Sequence, residues 1–152
     1  AKPDSTEAEM NAVLEKVNLL GFLQTQDGLQ TRLLEKASNL SGGQCQRLVI
    51  ARALLRDSEV YIFDEAASNI DVESEELIMD VIHELARTKT VLLISHRLAN
   101  VVDSDQIYFL KDGEIKEGGN HEELMQMNGE YRHLYDSQMK LENYGKEGTA
   151  DV

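Results

Sequence analysis

Cysteine occurs once in these 152 residues and proline once, and each scarcity narrows what the chain can be. A lone Cys45 forms no internal disulfide and suits a reducing, cytoplasmic setting; on an apolar helical stretch it reads as a small core residue rather than a nucleophile. Pro3 alone leaves no proline-rich linker, and there are no internal repeats. Cationic residues are also few: 15 Lys and Arg stand against 28 Asp and Glu, for a formal net charge of -13. Such a field repels polyanions, which disfavours nucleic acid and anionic lipid headgroups as partners. Long apolar runs are missing as well. Stretches such as Val91–Ile94 fall far short of the roughly 18 residues that cross a bilayer, and no cationic-then-apolar leader opens the chain. Membrane association is therefore expected only through a partner or through polypeptide outside these residues.

What is present suits one globular domain, with an apolar fraction of 41% and enough length to bury a core. Met10, Val13, Leu14, Val17 and Leu20 recur at the spacing of an amphipathic helix over 6–19, closed by Gly21. Residues 22–40 read mostly as loop. Ser41 is a good N-cap for a largely buried helix to Arg56. Val60–Phe63 and Val91–Ile94 are short, solidly apolar and rich in β-branched or aromatic residues, as interior strands of a parallel sheet are. Between them Leu77, Ile78, Val81, Ile82 and Leu85 mark one face of a helix over 72–87, which completes a strand–helix–strand unit. Gln106–Leu110 and Glu114–Glu117 flank Lys111-Asp112-Gly113, a hairpin turn. Asn120 caps a helix over 121–127, a further amphipathic helix carries Tyr131, Leu134, Tyr135 and Gln138, and the tail from Gly145 reads as disordered.

Two segments carry chemistry. Leu40-Ser41-Gly42-Gly43-Gln44 puts free N–H groups and the positive end of a helix dipole where two glycines admit an anion, although Ser-Gly-Gly alone equally suits a flexible turn. Sixteen residues on, Val60-Tyr61-Ile62-Phe63-Asp64-Glu65 ends a strand in two carboxylates, at the strand end where α/β proteins place their ligand crevice. One carboxylate there can hold Mg²⁺ through its hydration shell while the other orients or deprotonates a water; a solvated helix start is the bland alternative.

The longer run Leu40-Ser41-Gly42-Gly43-Gln44-Cys45-Gln46-Arg47 with Ala51-Arg52-Ala53-Leu54-Leu55, followed by Asp64-Glu65, resembles the signature motif and Walker B strand of ABC (ATP-binding cassette) ATPases. The resemblance runs from about residue 6 to 144. It implies a P-loop NTPase-like (RecA-like) α/β fold, partial, with part of the family's helical subdomain over 1–57 and the C-terminal half of the ATPase core over 58–144. It makes Asp64 the Mg²⁺ residue, Glu65 the catalytic base, and Ser41, Gly42, Gly43 and Gln44 contacts to ATP. Ser68-Asn69-Ile70-Asp71 matches the D-loop, with Ala67 where a hydroxyl residue is common, and Asp71 doubles as a helix N-cap. His96, directly after strand 91–95, is similar to the family's switch histidine, which contacts the γ-phosphate. His96-Arg97-Leu98, Gly113-Glu114-Ile115 and His121-Glu122-Glu123-Leu124 resemble the exporter subgroup. His83, His121 and His133 lack a metal-ligand spacing and read as surface residues. Near Gly28 and Glu35, where exporters meet their membrane domain, the match is looser, and Ala37 stands where the pattern usually carries Gly.

In that family two ATP-binding domains sandwich ATP head to tail, so the resemblance implies a second ATP-binding domain and a transmembrane domain as partners, at the cytoplasmic face of the membrane. One motif is missing. No Gly-x-x-x-x-Gly-Lys-Ser/Thr occurs, so this chain by itself lacks the main phosphate cradle and is expected not to hydrolyse ATP. The two readings are the C-terminal part of an exporter ATPase and a non-catalytic module presenting only the signature face. An intact Glu65 and His96 favour the first.

Overall fold

The computed structural model describes residues 2–68 and 70–147, which fall into two compact units, one ending at Ile94 and the other beginning at Ser95. The first unit opens with α1 (Glu7–Lys16). Thr6 caps it, its hydroxyl accepting the Glu9 N–H while the Glu9 carboxylate accepts the Thr6 N–H, a reciprocal capping box. The helix stops earlier than Gly21: Asn18 turns left-handed (φ 51°), and the Leu19 N–H bonds the Leu14 carbonyl at 2.8 Å. Asparagine tolerates this conformation, and the fully buried Leu19 supplies the apolar contact that such a stop uses. Gly21 instead lies inside α2 (Leu20–Gln24), a short helix that runs into the stretch from residue 22 expected to be mostly loop.

Helix α3 (Gly42–Leu54) follows, then β1 (Val60–Asp64), α4 (Val72–Ala86) and β2 (Thr90–Ile94). Strands β1 and β2 pair in parallel, Val60 opposite Thr90 through Asp64 opposite Ile94. The α/β class and the strand–helix–strand unit expected from the sequence are both present. Tyr61 and Phe63 face inward onto Ile50 and Ala51 of α3 and Ile78, Met79 and Ile82 of α4, together with Leu14, Val17 and Leu23. Each of the larger apolar side chains so buried contributes about 1.5–3 kcal/mol. The opposite face of the pair is not covered. Ile62 is 65% exposed and Leu92 51%, with Val60 and Ile94 beside them, so strands expected to be buried on both faces are buried on one. Val49 is also exposed, which makes α3 less buried than its composition suggests.

The second unit contains β3 (Ile107–Lys111) and β4 (Glu114–Gly119), an antiparallel hairpin, then α5 (His121–Met127) and α6 (Glu130–Glu147). Asp112 and Gly113 both take positive φ, 54° and 76°, as a tight hairpin turn requires. Asn120 and Glu123 form a capping box on α5. The Glu117 carboxylate caps α6, accepting the N–H groups of Glu130 at 2.5 Å and Tyr131 at 3.3 Å. His121 is not a plain surface residue: its Nδ1 lies 2.8 Å from the Tyr131 hydroxyl, which burial pushes above its usual pKa. Helix α6 runs into the stretch from Gly145 read as a disordered tail, and residues 148–152 lie outside the described residues.

Candidate functional site

Ser41 stands before α3 in extended geometry, and its hydroxyl accepts the Gln44 N–H at 3.2 Å while Gln44 Oε1 accepts the Ser41 N–H at 2.9 Å. The N–H groups of Gly42 and Gly43, in the first turn, have no intrahelical acceptor and carry the positive end of the helix dipole. The two glycines are not equivalent. Gly42 is exposed, and a side chain there would meet nothing nearer than Ile70 Cγ2 at 3.9 Å. Gly43 is buried against the start of α4: a Cβ on it would lie 2.5 Å from Ser74 Cβ and 3.2 Å from Asp71 Oδ2.

Asp71 caps α4 by accepting the Ser74 N–H at 2.8 Å. This bond, the Ser74 hydroxyl and the more distant Arg47 guanidinium hold the Asp71 carboxyl below its usual pKa. Two helix N-termini therefore converge on one carboxylate, which partly offsets their combined dipole. Arg47 reaches the opposite way, donating from Nη1 to the Asn18 carbonyl at 2.8 Å and to that of Val17 at 3.5 Å, and from Nε to the Gly43 carbonyl at 3.4 Å. It thereby satisfies carbonyls left open where α1 ends and ties the start of α3 to that point.

Asp64 and Glu65 emerge, both exposed, from the carboxyl end of β1. Glu65 is left-handed (φ 48°), a conformation that costs a non-glycine residue about 1–2 kcal/mol. It is held there from both sides: its N–H donates to the Ile94 carbonyl at 3.0 Å, and its own carbonyl accepts the Ser68 N–H at 3.0 Å. Strain fixed in this way is concentrated at functional strand ends. Asn69, within the expected D-loop, lies outside the described residues.

The donors suit Mg²⁺, a hard cation that keeps most of its water and takes one or two carboxylates plus phosphate oxygens. Among the described residues no group of three His, Cys, Asp or Glu could hold a metal. In the second unit His96 is exposed, and its carbonyl accepts from Gln138 Nε2 at 2.8 Å. The structure thus brings Ser41, Gly42, Gly43, Gln44 and Asp71 together, and sets Asp64 and Glu65 side by side at a strand end. The motif reading does not include Ser74, and it assigns no contact to Arg47 or Gln138. Ser74 was findable from its place three residues after a capping Asp; Gln138 had no local signal.

A family model described as ABC transporter matches residues 3–68. An uncharacterized ABC transporter ATP-binding protein of Haemophilus influenzae is 51% identical over 150 residues, 99% of this chain and 27% of that protein. An ATP-dependent lipid A-core flippase of Mannheimia succiniciproducens is 44% identical over 139 residues, 91% of this chain and 24% of that protein. Among solved structures, that of a bacterial Atm1-family ABC exporter with ATP bound is similar with a TM-score of 0.81 and 31% identity, over 90% of this chain and 24% of the other. The chain thus spans about a quarter of the length of the relatives it matches. Its motif order, its parallel strand pair and these likenesses agree, and the chain belongs to the ATP-binding part of the ABC transporter family.

Proposed function

We propose that the chain is the portion of an ABC exporter ATPase that offers the signature face to a nucleotide held by a second ATP-binding domain and contributes the catalytic strand ends to its own. The observation that carries this reading is Glu65, held in a strained left-handed turn immediately after Asp64 at the carboxyl end of a parallel strand. Backbone strain of this kind, placed at the ligand end of a strand next to a second carboxylate, supports a functional role for Glu65.

In this reading Asp64 binds the hydration shell of Mg²⁺, and Glu65 orients the attacking water and accepts its proton. Mg²⁺, when bound, neutralises charge on the β- and γ-phosphate oxygens. Ser41, Gly42, Gly43 and Gln44 present the polar N-terminus of α3 to phosphate oxygens, Asp71 belongs to the D-loop that meets the partner domain, and His96 contacts the γ-phosphate. A transmembrane domain completes the transporter and holds the chain at the cytoplasmic face of a membrane; no helix among the described residues is long and apolar enough to cross one. The relatives include a lipid A-core flippase and an Atm1-family exporter, two different transporters, so ATP-driven export carries over and the cargo does not. The uncovered face bearing Ile62 and Leu92 is consistent with further polypeptide packing there in the complete protein.

The test is Glu65→Gln in the complete protein. It keeps size and hydrogen bonding but removes the base, so turnover should fall about 10²-fold or more while ATP still closes the dimer. A near-normal ATPase rate would refute the assignment.

A further inference from the structure

His96 lies two residues beyond β2, at the carboxyl end of a parallel strand where ligands of such sheets bind. Its imidazole is exposed, yet its backbone is bracketed on both sides. The carboxamide of Gln138, on α6, accepts the Leu98 N–H at 2.9 Å through Oε1 and donates to the His96 carbonyl at 2.8 Å through Nε2. A carboxamide suits this because one planar group carries both an acceptor and a donor. Ser95 adds a constraint: its hydroxyl accepts the Arg97 N–H at 3.0 Å and donates to the Arg97 carbonyl at 3.1 Å. Fixing one backbone residue costs about 1–2 kcal/mol of conformational entropy. To hold the loop still around an exposed residue, by a contact 40 residues away, is therefore more than connecting β2 to the next element requires.

The clasp is itself firmly mounted. Glu117 on β4 caps the start of α6, Lys111 on β3 bridges Glu130 at 2.7 Å, and Tyr131 is fully buried. The hairpin fixes α6, and α6 fixes the loop that carries His96.

We propose that Gln138 is a positioning residue for His96, setting the height and direction of the imidazole through its two backbone hydrogen bonds, so that α6 and the γ-phosphate contact are coupled. This rests on the reading of His96 given above. It assigns to α6 a part in the reaction, because a displacement of that helix would carry His96 with it.

The test uses Gln138→Leu and Gln138→Glu in the complete protein. Gln138→Leu removes both bonds and should lower kcat about tenfold or more, as a misplaced catalytic contact does, with KM changed less than about twofold. Gln138→Glu keeps the acceptor for Leu98 but sets a carboxylate against the His96 carbonyl. Its rate relative to wild type should be lowest at alkaline pH and recover as the pH falls and the carboxyl gains the proton it needs to donate. Unchanged kcat in Gln138→Leu, a rise in KM without loss of kcat, or a Gln138→Glu rate that follows Gln138→Leu at every pH would overturn the proposal. Normal turnover in His96→Ala would instead sink the role of His96 itself. In the 152-residue chain, amide exchange reads the clasp without any activity: the Leu98 N–H should exchange about tenfold faster in Gln138→Leu, and unchanged exchange would also overturn it.

Discussion

Gly43→Ala should destabilise the chain, whereas Gly42→Ala, one residue earlier in the same turn, should not. The new Cβ on residue 43 would stand 2.5 Å from Ser74 Cβ, against the roughly 3.5–4.0 Å at which carbons rest. Neither atom can rotate away, because both Cβ positions are set by the backbone. The starts of α3 and α4 must separate by about 1 Å, and overpacking on this scale costs about 1–3 kcal/mol. Alanine's better helix propensity returns at most about 1 kcal/mol, and less in a first turn. The net expectation is a loss of about 1–2 kcal/mol for Gly43→Ala and a change within about 0.5 kcal/mol for Gly42→Ala. The assay is urea denaturation followed by far-ultraviolet circular dichroism, at concentrations low enough to suppress self-association. Ser74→Gly removes the opposing carbon, so in a double-mutant cycle with Gly43→Ala it should recover about 1 kcal/mol or more. Equal midpoints for the two alanine variants, or no recovery in the double variant, would show that Gly43 is not seated on Ser74.

Two further outcomes are expected. Ala37→Gly should stabilise the chain by about 1 kcal/mol, read as a higher urea midpoint with unchanged slope, because Ala37 sits at φ 53° directly after Lys36 at φ 55°; a lower midpoint would mean that another constraint sets this turn. The uncovered face of β1 and β2 should drive association of the chain at micromolar concentration, and Ile62→Lys with Leu92→Lys should abolish it in sedimentation velocity. A compact wild-type monomer with strongly protected amides at Val91–Ile94 would contradict this.

Legibility in the sequence followed the range of the interaction. Ser41, Asp71 and Asn120 announced helix starts because an N-cap is settled within three residues, and all three bond the residue expected of them. Asp112-Gly113 announced the hairpin for the same reason. The end of α1 was misplaced at Gly21 because two residues compete to stop a helix there, and Asn18 wins through the burial of Leu19, a tertiary fact. The place of Gln138 on a helix was legible but its clasp was not: its partners lie 40 and 42 residues back, and nothing in its own neighbourhood distinguishes it from a polar residue on a helix face.

Ala37 shows how motif and geometry inform each other. The family pattern marked residue 37 as a place for glycine without saying why. The left-handed backbone there supplies the reason, and the hydrogen bonds from Ala37 N–H to the Leu34 carbonyl at 2.8 Å and from Leu40 N–H to the Ala37 carbonyl at 2.9 Å show what the turn achieves. They fold the approach to Ser41 into a tight corner, so that the signature helix starts immediately after it. An alanine can occupy that corner because one strained residue costs far less than the packing of α3 against α1 and α4 returns. The departure from the pattern therefore weakens the corner, while the Ser41 cap at the start of α3 still forms.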